Sequence, residues 1–104
     1  MNVLNNGTNL DLPDDAVIER NCVIDRAGAH PIHLGHTPEK ARGLLQLVKN
    51  YEQMTIRAAI TGDYDLALQA LTVHPLVPSA TAAEKMLKDI IEENREYLPA
   101  FAER

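Results

Sequence analysis

The sequence contains one cysteine, Cys22, and no tryptophan, and aromatic residues make up only 4% of the chain. A single cysteine cannot form an internal disulfide, which excludes a secreted scaffold held together by disulfides. Because Cys22 lies beside Val23 and Ile24, we expect a buried, unreactive thiol and a reducing, cytoplasmic setting. With so few aromatic residues, any core must be built from aliphatic side chains.

Long apolar runs and an excess of basic residues are also missing. The longest unbroken apolar run is only a few residues, and the amino terminus lacks a basic segment followed by an apolar one. Neither a membrane span nor a signal peptide is therefore predicted. Ten Lys and Arg residues against fifteen Asp and Glu give a net charge of −5, which repels phosphate backbones and anionic lipid heads. We expect no nucleic-acid partner and no membrane partner.

What the sequence does contain is the composition of one small globular domain, predicted to span residues 1–104. Turn-forming polar residues dominate residues 1–15, which predicts a loop. The β-branched content rises over residues 16–25, and after a turn at residues 27–29 a short second strand is expected at residues 31–34, so a β-hairpin is predicted over residues 16–34.

Helical signals fill residues 37–98. Thr37 and Pro38 suit the N-cap and the first helical position, and apolar residues at three- and four-residue spacing predict a long helix that ends at Gly62. Asp63 is expected to cap a second helix that ends before Pro75.

A third helix is predicted to start at a reciprocal capping box formed by Thr81 and Glu84, and to end at Pro99. The predicted fold class is therefore α+β, with three helices packed on a small antiparallel sheet or hairpin.

His30, His33 and His36 are spaced three residues apart, which raises the possibility of a zinc site. Residues three apart on a strand face opposite sides, and no fourth ligand is implied. We therefore expect surface or hydrogen-bonded histidines and no metal ligands.

The paired carboxylates lie where turns and helix caps require them, at Asp14 and Asp15 and at Asp63 and Asp65. No glycine-rich phosphate loop follows a strand. The residues alone predict no catalytic and no cofactor-binding side chain.

The chain resembles the carboxyl-terminal region of glycoside hydrolase family 4 over nearly its whole length, in residues 5–32, 48–79 and 96–101. The run TGDYDLALQALTVHPLVPS is most similar to the 6-phospho-β-glucosidase branch. The resemblance implies part of an enzyme that uses NAD and a divalent metal, usually manganese, to hydrolyse phosphorylated β-glucosides by oxidation and elimination. It also implies a fold like part of the carboxyl-terminal domain of lactate and malate dehydrogenases.

The family's cofactor loop, metal ligands and tyrosine base lie in parts that this chain does not contain. The resemblance thus implies a chain that binds neither NAD nor metal and is inactive alone. Its implied partners are the rest of the parent enzyme and further copies in a homo-oligomer, while the phosphorylated disaccharide or β-glucoside binds only the intact enzyme. The helix over residues 38–60 is either a subunit interface or simply the core helix.

Asn5 and Asn6 are candidates for the rim of the sugar pocket, because they stand in a family-like turn and an amide can donate a hydrogen bond to a sugar hydroxyl or phosphate oxygen. Asn followed by Gly is also what any tight turn requires. Both interpretations remain open from the sequence.

An alternative from another class is a free-standing helical protein-interaction module, whose acidic surface would favour basic partners. The genomic reading frame around Met1 distinguishes the two. Upstream coding sequence with a glycine-rich loop favours the enzyme, and a true start at Met1 favours the module.

Overall fold

The computed structural model describes residues 1–101, which form an α+β chain of two small sheets and three α-helices. The predicted fold class is confirmed. The chain divides into two compact units, of which the first is Met1–Lys49 and the second begins at Asn50. The elements are β1 (Asn2–Leu4), β2 (Val17–Glu19), β3 (Cys22–Asp25), β4 (Gly28–Pro31), α1 (Glu39–Thr61), α2 (Tyr64–Val73) and α3 (Ala80–Glu93), followed by 3-10 turns at Arg95–Tyr97 and Pro99–Phe101.

The strands form two separate antiparallel pairs rather than one hairpin. β1 pairs with β2, which sets Val3 opposite Ile18, and β3 pairs with β4, which sets Val23 opposite His30. The loop predicted for residues 1–15 is therefore wrong at its start, because β2 supplies hydrogen-bond partners that no local pattern reveals.

The hairpin predicted over residues 16–34 is also corrected in its details. Its first strand is split between the two sheets after Glu19, and the return strand β4 begins at Gly28, three residues earlier than predicted. Val23 and Ile24 are exposed, and Cys22 is only half-buried, with its thiol donating to the Arg20 carbonyl at 3.4 Å. The prediction of a buried thiol was wrong.

The first two helices follow their sequence signals. α1 ends before Gly62, which adopts a left-handed φ of 71°, and the Leu66 N–H donates to the Asp63 carboxylate at 3.0 Å, so Asp63 caps α2. Thr37 was expected to cap α1, with Pro38 as its first residue. Instead α1 begins at Glu39, and the Thr37 hydroxyl accepts a hydrogen bond from the Asn9 side chain at 2.9 Å.

The third helix begins and ends earlier than predicted. Ser79 is its N-cap and accepts from the Ala82 N–H at 3.1 Å, so the capping box of Thr81 and Glu84 does not form. The helix ends at Glu93, well before Pro99. Within residues 1–101, no helix combines the length and the apolar character needed to cross a membrane.

Each unit has its own small core. In the first unit, Leu12 and Ala16 are buried together with two polar residues, Asn5 and Thr8. Among the described residues of the second unit, the buried apolar side chains are Ala58, Ala70, Ala83, Leu87 and Phe101. Because alanine is small, the helices that carry these residues can approach one another closely.

Replacing Gly62 by Ala is predicted to destabilise the second unit. A Cβ at this position would collide with the Ala100 carbonyl, and the left-handed backbone alone costs about 1–2 kcal/mol for an L-residue. Gly43 is the matched control, since a Cβ there meets nothing within 4 Å and alanine favours a helix by about 0.5–1 kcal/mol. Chemical denaturation measures both; equal effects of the two substitutions would contradict this account.

Candidate functional site

Asn5, one of the two residues proposed for the pocket rim, is fully buried in the first unit. Its side-chain nitrogen donates to the carbonyls of Asn9 and Leu12 at 2.9 Å and of Pro13 at 3.0 Å, and its side-chain oxygen accepts from the Asn9 N–H at 2.7 Å. A primary amide has two N–H groups, and three carbonyls already share them. Asn5 thus holds the following loop in place and has no free donor for a ligand.

Asn6, the second rim residue, is exposed and lies in a tight turn. Asn6 and Gly7 both have positive φ, 43° and 81°, and the Thr8 N–H donates to the Asn5 carbonyl at 2.8 Å. Asn followed by Gly is the preferred pair for a turn with two left-handed residues. The structure therefore separates the pair, with Asn5 inside the loop and Asn6 at its surface.

Asp11 is the centre of a polar cluster that the sequence did not reveal. Its carboxylate accepts from the Thr37 N–H at 2.6 Å, and it lies 2.9 Å from His36 Nδ1 and 3.3 Å from Arg42 Nε. The Gln46 side chain donates to the Asp11 carbonyl at 3.0 Å. This cluster ties the loop to the start of α1.

The His36 hydrogen bond, with smaller effects of the Thr37 N–H and the Arg42 charge, holds the pKa of Asp11 below its ordinary value of 3.8. A carboxyl whose pKa is lowered by folding stabilises the folded state at pH values above its ordinary pKa. The stabilisation is lost as the pH falls through the lowered pKa. The cluster is therefore a structural clamp at neutral pH.

The three histidines are not brought together. His30 Nε2 lies 2.9 Å from the Asp25 carboxylate, a contact that lowers the pKa of Asp25, whereas His36 contacts Asp11. In the described residues, no group of three His, Cys, Asp or Glu side chains is placed to hold a metal ion.

The second unit contains an apolar cavity of about 190 Å³. Its lining includes Tyr51, Leu71, Leu87, Ile90 and Phe101. Small-molecule sites are usually larger and combine an apolar wall with a few converging polar groups. This cavity has the apolar wall, but its lining carries no carboxylate, imidazole or amine.

A more polar cleft of about 470 Å³ is lined by Tyr64, Lys88, Glu92 and Arg95, among other residues. Lys88 Nζ lies 3.0 Å from the Glu84 carboxylate, and this hydrogen bond raises the pKa of Lys88. The amine is therefore held in its protonated form, which is neither a base nor a nucleophile at neutral pH.

Sequence reasoning missed the Asp11 cluster because its members are far apart in the chain. One local signal was present in the sequence, the asparagine two residues before Asp11. The Asp11 N–H donates to the Asn9 side chain at 2.9 Å, and asparagine favours a turn closed by this hydrogen bond. The contacts to His36, Thr37 and Arg42 depend on where the loop meets α1 and have no local signature.

Comparison with known proteins identifies the relatives of this chain. Residues 1–77 match the family model described as the Family 4 glycosyl hydrolase C-terminal domain. A probable 6-phospho-beta-glucosidase of Bacillus subtilis is 45% identical over 97% of this chain.

Solved structures agree with this match. A 6-phospho-alpha-glucosidase from gut microorganisms, in complex with NAD and glucose-6-phosphate, superposes with a TM-score of 0.88 at 36% identity over 94% of this chain. The 6-phospho-beta glucosidase of Thermotoga maritima, with manganese, NAD+ and glucose-6-phosphate, has a TM-score of 0.82 at 39% identity over 93% of the chain. This chain spans only 23–24% of the length of these three proteins.

Replacing Asn5 by Ala is predicted to lower the free energy of unfolding by about 2–4 kcal/mol, because buried carbonyls and an N–H lose their partner. Asn6→Gly is the matched control at the neighbouring position. Glycine accepts the same positive φ, so a change within about 0.5 kcal/mol is expected. Thermal or urea unfolding of both variants tests this, and an Asn5→Ala variant as stable as the unmodified chain would refute the role assigned to Asn5.

Proposed function

Because the chain belongs to the family 4 glycosyl hydrolases, as their C-terminal domain, we propose that it serves as the C-terminal part of a 6-phospho-β-glucosidase that hydrolyses phosphorylated β-glucosides. The observation that carries this proposal is the 45% identity over nearly the whole chain to a probable 6-phospho-beta-glucosidase. The β-glucosidase branch is favoured because this identity and the 39% for the Thermotoga enzyme exceed the 36% for the α-glucosidase. The parent enzyme is proposed to act in the cytoplasm.

The parent enzyme is proposed to use NAD and manganese, which accompany the related Thermotoga enzyme in its structure. The residues described here do not fit either group. No three potential ligands are placed to hold a metal, and no helix follows a strand through a glycine-rich turn. No chemical step is therefore assigned to this chain. The oxidation and elimination steps are proposed to be carried out by residues in the remainder of the parent enzyme.

The proposed role of the chain is to support the substrate-binding part of the enzyme and its subunit contacts. Large apolar side chains are exposed in both units, and they include Leu34, Leu44, Ile60 and Leu76, which are 65%, 60%, 76% and 85% exposed. Exposed apolar groups of this size favour a covering partner. The rest of the parent enzyme is the proposed partner, with a further copy of the subunit in a homo-oligomer.

The chain alone is predicted to be inactive. Incubation of the purified chain with NAD, manganese and a chromogenic 6-phospho-β-glucoside should give no turnover, while the intact Thermotoga relative serves as the positive control. Turnover by the pure chain would overturn the proposal that the catalytic residues lie in the rest of the parent enzyme, because it would require a catalytic centre within these 104 residues.

The Asn5 and Asn6 turn is proposed to reach the rim of the sugar pocket in the intact enzyme. Asn6 would make the contact, since its amide is exposed, and Asn5 would hold the turn in position. If the amide is removed, the sugar hydroxyl or phosphate oxygen that it contacted is left without a partner in a desolvated site, which costs about 1–3 kcal/mol.

Replacing Asn6 by Ser in the intact parent enzyme should raise KM by roughly five- to a hundredfold. Asn2→Ser is the matched control, because Asn2 is an exposed asparagine outside the turn. An unchanged KM in the Asn6 variant would show that the turn is structural and would remove it from the pocket rim.

A further inference from the structure

One asparagine of this chain is chemically distinct from the others. The chain has seven asparagines, and only Asn6 is followed by glycine. Spontaneous deamidation begins when the backbone nitrogen of the following residue attacks the side-chain amide carbon. A side chain on that following residue crowds the nitrogen, and glycine has none.

The structure leaves the Asn6 amide available for this reaction. Asn6 is exposed, and within residues 1–101 its side chain has no hydrogen-bond partner. At Gly7, a Cβ would meet nothing within 4 Å, so no residue beyond its chain neighbours crowds the side of Gly7 where a side chain would stand. The side-chain amides of four other asparagines are held in hydrogen bonds: Asn5, Asn9, Asn50 and Asn94.

We propose that Asn6 is a site of spontaneous deamidation, with water as the co-reactant. The Gly7 nitrogen loses its proton to hydroxide and bonds to the Asn6 amide carbon, and the bond to the side-chain nitrogen breaks. That nitrogen takes up a proton and leaves as ammonia. Water then opens the cyclic imide at either carbonyl, which gives Asp or isoAsp. Nothing is oxidised or reduced.

The two products differ in their effect on the turn. Asp is tolerated at positive φ, so this product keeps the turn and adds one negative charge to the surface. IsoAsp inserts an extra carbon into the main chain at the position that follows the buried Asn5. Because Asn5 holds the loop through its hydrogen bonds, the isoAsp product is expected to loosen the first unit.

The experiment is incubation of the folded chain at mildly alkaline pH, followed by peptide mapping with mass spectrometry that separates Asp from isoAsp. Loss of the amide at Asn6 is expected to be several-fold faster than at any other asparagine. An Asn6→Gln variant should lose this reaction, because glutamine would have to form a larger ring. An Asn6→Asp variant should match the charge of the deamidated product in ion exchange.

A denatured sample provides the reference in which every asparagine is accessible. Asn2 and Asn21 are the two remaining asparagines, and both are exposed but are not followed by glycine. Conversion at either of them as fast as at Asn6 in the folded chain would overturn the proposal. So would an intact Asn6 in the folded chain over a period in which the denatured chain reacts there completely. The measurement needs no enzyme activity, so its outcome is independent of the proposed function.

Discussion

The first unit depends on the side-chain amide of Asn5, because the buried apolar side chains around it are only Leu12 and Ala16 among the described residues. Its two N–H groups are shared among three loop carbonyls, and its oxygen binds the Asn9 N–H. A buried amide is costly unless it is fully hydrogen-bonded, so this geometry admits few alternatives. The Asn5 backbone N–H also donates to the Ala16 carbonyl at 2.8 Å, which places β2 beside β1. The loop and the first sheet are therefore fixed together.

The helices could be predicted because the residues that start and stop them lie at or next to the helix ends in the sequence. Gly62 and Asp63 act within one turn of their own positions, and the end of α2 follows from the geometry that Pro75 imposes on its predecessor. The predicted start of α3 was wrong because Ser79 and Thr81 are both good N-cap residues, and their local sequence does not decide between them. β1 was missed because a three-residue strand is stabilised by its partner rather than by its own composition.

The site was less predictable than the fold. Asn5 and Asn6 have the same side chain and adjacent positions, yet one is buried and the other exposed, and only the path of the loop from residue 5 to residue 16 decides which. Similarly, the clamp around Asp11 joins residues 11 and 36 across the first unit. The family, by contrast, was recognisable from the sequence, because resemblance draws on the order of residues along nearly the whole chain.

The role proposed for this chain is to support a catalytic centre that lies elsewhere in the parent enzyme. It is tested most directly by replacing the corresponding carboxyl-terminal part of the Thermotoga 6-phospho-beta glucosidase, about 24% of its length, with this chain. Rejoining the relative's own segment at the same junction is the control. The account predicts hydrolysis of a 6-phospho-β-glucoside by the chimera with NAD and manganese. A folded but inactive chimera beside an active control would contradict it.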